Sequence, residues 1–108
     1  MIQGFYRVHY HLPKRQGFCI CVLKAGQIAG GGGLMHYTGS YKQIGRQFVG
    51  EMHAKMHAGV SETVFHGLKD FYLQLSGMVC GGYGQIAGEI VEVPDAVVRA
   101  TISRLSMI

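Results

Sequence analysis

The sequence predicts an all-β protein, an eight-stranded antiparallel up-and-down β-barrel, on three observations. Apolar residues alternate with period two through most of the chain, the pattern of a strand with one covered face. Glycine is the main punctuation, with 17 glycines against two prolines. Each glycine costs a helix roughly 1 kcal/mol relative to alanine, whereas turns, bulges and bends use it well. Third, Gly26-Gln27-Ile28-Ala29-Gly30 recurs letter for letter as Gly84-Gln85-Ile86-Ala87-Gly88, with a looser version in Gly45-Arg46-Gln47-Phe48-Val49-Gly50. The repeat reads as a recurring corner: a turn glycine, an inward apolar residue, then a glycine where the strand bends. Bending glycines let a sheet close on itself.

The elements follow in order. Strand one is expected over about 3–11, with Tyr6, Val8, Tyr10 and Leu12 on one face and Arg7, His9 and His11 on the other. A turn over 12–17 leads to strand two, about 18–24. It is apolar on both faces, Phe18, Ile20 and Val22 alternating with Cys19, Cys21 and Leu23. Such a strand is covered on both sides. Ala25-Gly26 makes a tight hairpin turn into a short strand three, about 27–31. Strand four, about 35–42, carries Met35, Tyr37, Gly39 and Tyr41 on one face. Strand five, about 46–57, sets Phe48, Gly50, Met52, Ala54 and Met56 against Val49, Glu51, His53, Lys55 and His57. In the longest connection, 58–69, Ser61-Glu62-Thr63 predicts at most one short helical turn around 60–68. Strand six covers about 71–80. A Gly81–Gly84 turn, strand seven over about 85–92, a Pro94-Asp95 turn and strand eight over about 96–105 complete the chain.

With 108 residues there is room for one barrel domain, 1–108. Hydrophobic residues make up 48% and charged residues 15%, which excludes a disordered tail. So few charges leave apolar surface to be paired, and a homodimer is expected. Cys19, Cys21 and Leu23, taken as the second apolar face of strand two, are the candidate dimer contact. The formal net charge is +4, but the basic residues are scattered. The densest pair, Lys14-Arg15 beside Pro13, reads as a solvated loop. Three cysteines, an odd number, argue against a disulfide framework. No run approaches the ~18–20 apolar residues of a membrane-spanning helix, and no leader is recognisable. The expectation is a cytoplasmic protein with free thiols.

Chemistry-bearing constellations are weak. His53 and His57 have the helical zinc spacing, but on a strand they lie ~13 Å apart at ~3.3 Å per residue. His9 and His11 are close enough to share a metal yet lack a third ligand nearby. Cys19 and Cys21 have neither a metal-knuckle nor a redox spacing. Gly30 to Gly33 leads into a strand, not into the helix a phosphate loop requires. No carboxylate pair is poised for acid–base work, and no serine sits in a nucleophile elbow. The chain is therefore expected to be a non-enzymatic binding protein without metal or cofactor. Its large inward residues, Tyr6, Tyr10, Met35, Tyr37, Phe48, Met52, Met56 and Phe71, are the candidate lining of a Met-rich apolar cavity. Direct nucleic-acid binding is not expected, because Tyr6, Tyr10, Tyr37 and Phe48 alternate away from Arg7, His9 and Arg46.

Taken together, several segments resemble the GrlR-like family of small lipocalin-like β-barrels, named for a negative regulator of type III secretion. They are Gly4-Phe5-Tyr6, Gly17, Leu23 to Gly31, Tyr37-Thr38-Gly39-Ser40-Tyr41, Leu75-Ser76-Gly77 and the closing strand Val97 to Leu105. The resemblance implies a homodimeric barrel, an apolar, lipid-like ligand, and regulation by capture of a transcription activator. The alternative is a lipocalin-like carrier with no regulatory role. Two departures stand out. Gly32 replaces the family's acidic residue after the paired glycines. The acidic partner-contact stretch of the named regulator corresponds here to Lys42-Gln43-Ile44-Gly45-Arg46, which is basic.

Overall fold

A computed structural model describes residues 3–12, 15–33, 35–56, 68–93 and 95–107. Its strands are β1 (Gly4–Leu12), β2 (Arg15–Lys24), β3 (Gln27–Gly31), β4 (Met35–Ile44), β5 (Gln47–Met56), β6 (Asp70–Cys80), β7 (Tyr83–Ile90) and β8 (Val97–Ser106). Each pairs antiparallel with the next, and β8 pairs with β1, so the sheet closes as an eight-stranded up-and-down barrel. Closure leaves no open sheet edge among these strands. The helical turn expected around 60–68 falls, apart from Leu68, outside the described residues.

Tight turns set the register. Ala25 and Gly26 both take positive φ, 52° and 80°, the geometry that matches a two-residue turn to the twist of its strands. The repeated pentapeptide places Ile28 and Ile86 in the barrel interior, but its glycines differ in role. Gly26 is a turn residue, whereas Gly84 lies inside β7. The turn glycine there is Gly81, at φ 60°, and the β6–β7 turn is only Gly81-Gly82. One shared corner does not therefore explain both copies. Gly39 has a clearer task. A Cβ built on it would fall on the Glu51 carbonyl oxygen of the paired strand, so β4 and β5 approach there only because position 39 has no side chain.

The face assignment of β2 is corrected. Tyr6 opposes Cys21, Val8 opposes Cys19 and Tyr10 opposes Gly17, and opposed residues share a face of the sheet. The inward set of β1 therefore takes Cys19, Cys21 and Leu23 inside with it. Cys21 and Leu23 are buried. These three cannot form a dimer contact; the outward apolar residues of β2 are Phe18, Ile20 and Val22. The reason is the turn. Leu12 pairs with Arg15, so the strands approach each other earlier than a turn over 12–17 allows. A longer turn leaves the parity of β2 open, and slipping by one residue exchanges its faces.

Two clusters occupy the barrel interior. One gathers Tyr6, Leu23, Ile28, Tyr41, Phe48, Val79, Ile86 and Ile102. The other gathers Met35, Tyr37, Ala54, Phe71, Leu73, Ile90 and Val98. Met52 and Leu75 pack against both. Among the described residues the buried side chains are aliphatic, aromatic or cysteine, with none that carries a charge at neutral pH.

Candidate functional site

The candidate site is the space inside the barrel. Alternation along the strands aims Val8, Tyr10, Cys19, Met52, Leu75 and Ala100 inward, yet all six are only half-buried. Inward side chains of a filled barrel are close-packed; these face a hollow. The hollow has a volume of about 110 Å³ and takes its walls from both core clusters. Leu23, Ile28, Phe48, Ile86 and Ile102 come from one, Tyr37, Leu73 and Val98 from the other, with Met52 and Leu75 between.

Among the described residues, no Asp, Glu, Lys, Arg or His lines that wall. The lining residues that carry a polar or titratable group are Tyr10, Tyr37, Cys19 and Cys21. Burial holds all four neutral. It pushes the Cys19 thiol up to about 11. Burial, followed by the nearby Cys19, pushes the Cys21 thiol up to about 12. Tyr37 is raised by burial first, then by Cys19 and Tyr10; Tyr10 is raised by burial and then Cys19. Tyr10, Cys19, Cys21 and Tyr37 lie near one another, but the surface that the wall turns to the hollow is almost wholly apolar. The thiols are not nucleophiles at neutral pH, because the reactive thiolate is absent. The arrangement can accept an apolar molecule by contact with hydrocarbon surface.

Of the side chains expected to line a cavity, Tyr10, Tyr37, Phe48 and Met52 do so. Tyr6, Met35 and Phe71 are instead packed away in the core at 0–3% exposure. Met56 is half-buried against the cluster that holds Phe71. The aliphatic part of the wall, above all Val8, Leu73, Leu75, Ile86, Val98 and Ile102, was not singled out from sequence. In a sequence so rich in inward apolar residues, nothing separates those beside a hollow from those in contact. Cys19, Cys21 and Leu23 would have been found from the β1–β2 register.

No family model matches the chain, and a search of curated proteins finds no match. What the barrel can bind is therefore read from its own walls. On the outer wall, His9 and His11 rings lie 4.1 Å apart, and His53 contacts Asp70 and stacks on Tyr72 at 4.4 Å. No group of three metal-ligating side chains forms among the described residues, and no described helix is long and apolar enough to cross a membrane.

Proposed function

We propose that this protein is a non-enzymatic binding protein that takes a small apolar molecule into its barrel. The hollow of about 110 Å³, its surface almost wholly apolar and without a charged side chain among the described residues that line it, carries the reading. An engineered apolar cavity of roughly 150 Å³ binds benzene, and typical drug-sized sites reach about 300–1,000 Å³. The space therefore suits one ring or a short alkyl chain, not a whole lipid. The resemblance to GrlR-like barrels implies two occupants, a lipid-like molecule and a transcription activator. The interior supports the first, with the ligand confined to a short apolar segment.

Native mass spectrometry of gently purified protein tests this. One apolar molecule per barrel, lost on solvent extraction and replaced when hexanol is added back, is the expected result. A protein that carries no adduct and takes up no hexanol would refute it.

A further inference from the structure

The charges of the chain are segregated along its length, and barrel closure turns that into a surface. Residues 1–50 and 96–108 hold eight lysines and arginines and not one carboxylate, while 51–95 hold all six carboxylates and two lysines. Pairing of β8 with β1 joins the two acid-free stretches, so β8, β1, β2, β3 and β4 form one continuous wall without a negative side chain.

Aromatic rings lie in the middle of that wall. Tyr6, Tyr10, Tyr37 and Phe48 do point inward, away from the basic residues. Phe5 and Phe18 do not: they are 42% and 56% exposed on the outer face. The Arg7 guanidinium lies 5.3 Å from the Phe18 ring centre. His9 stacks on the same ring at 4.3 Å and touches His11. His11 opposes Arg99 on β8, and both border an outer groove of about 520 Å³ that also takes in Ser76, Gln85 and Thr101. Basic side chains and rings thus run side by side across β8, β1 and β2, and the groove extends from them over β7 and β6.

We infer that this outer face binds single-stranded nucleic acid. Such strands are held by cationic grooves that follow the phosphates and by rings on which bases stack. Phe18 is the stacking platform; a base takes the place on its ring that His9 or Arg7 holds in the free protein. Arg7 and Arg99 meet phosphates, and the groove beside His11 accepts a neighbouring nucleotide. A second copy is a poorer occupant. A two-fold dimer through this face would bring Arg7 and Arg99 towards their own copies, and like charges so placed repel. An acidic protein would satisfy the charge but give the stacked rings no role.

The test is fluorescence anisotropy of labelled dT20 with the full chain at 50 and 200 mM salt, on the wild type and on Phe18→Ala, Arg7→Gln and Arg99→Gln. The substituted side chains are exposed, and circular dichroism checks that each variant keeps its sheet. Binding should weaken steeply with salt, and each Arg→Gln change should flatten the log–log slope by about 0.7. Phe18→Ala, at constant charge, should weaken binding about fivefold or more. The inference is overturned if dT20 does not bind at 50 mM salt, or if Phe18→Ala binds like the wild type. It is equally overturned if a duplex of the same length binds tighter, or if polyglutamate competes equally per charge. Sedimentation supplies a further check: a wild-type dimer that Phe18→Ala turns into monomers would assign the face to a second copy instead.

Discussion

Replacing Ala100 by leucine should stabilise the protein and abolish its interior binding. Ala100 lies on β8 between Tyr10 and Ile86 and borders the hollow. Empty apolar volume costs about 24 cal/mol per Å³, so a hollow of about 110 Å³ costs at most about 2.6 kcal/mol. Leucine adds three carbons, and burying them contributes roughly 2.4 kcal/mol at about 0.8 per carbon. Contacts with Tyr10 will strain part of that away, which leaves a gain of about 1 kcal/mol and a rise in Tm of roughly 4–8 °C. The assay is thermal unfolding followed by circular dichroism, with hexanol binding measured in parallel. The sign is decisive, because forcing extra carbons into a filled core costs about 1–3 kcal/mol. An Ala100→Leu protein destabilised by 1 kcal/mol or more would mean that the barrel is packed solid and the proposed site does not exist.

Other outcomes follow from the same geometry. At pH 8 a thiol reagent should label only the exposed Cys80 in the native protein and all three cysteines in denaturant, since burial keeps Cys19 and Cys21 as thiols. Stability should be insensitive to those thiols below their unfolded pKa, ~8.5, and fall as pH rises towards about 11–12. The native pKa values are raised, so deprotonation favours the unfolded chain; urea midpoints at pH 7, 9 and 10.5 check this. Cys21→Lys should unfold the protein, not dissociate a dimer, because it buries an unpaired ammonium; circular dichroism and sedimentation separate the two. Gly39→Ala should cost about 2–4 kcal/mol through its collision with the backbone of β5. Gly33→Ala, with nothing within 4 Å of the added carbon, should stay within about 0.5 kcal/mol by urea titration.

The barrel was legible because period-two alternation and glycine turns act locally. Inward Tyr6, Phe48 and Phe71 could be named from parity within their own strands. The faces of β2 could not, since Phe18, Ile20 and Val22 are as apolar as Cys19, Cys21 and Leu23, and only pairing with β1 separates them. The hollow was legible only as a class of residue. Tyr10 and Met52 border it while Tyr6 and Phe71 do not, and that difference depends on how far opposite walls stand apart. The basic wall needed the closure of β8 on β1, which brings together residues almost a hundred positions apart.

The most direct test of an interior binding site is a methyl NMR titration with hexanol. Saturable shifts confined to Met52, Leu75, Ile86, Val98 and Ile102, with outward Ile44 unchanged and the response lost in Ala100→Leu, are the predicted result. Shifts that never saturate, or that appear equally at Ile44, would contradict it.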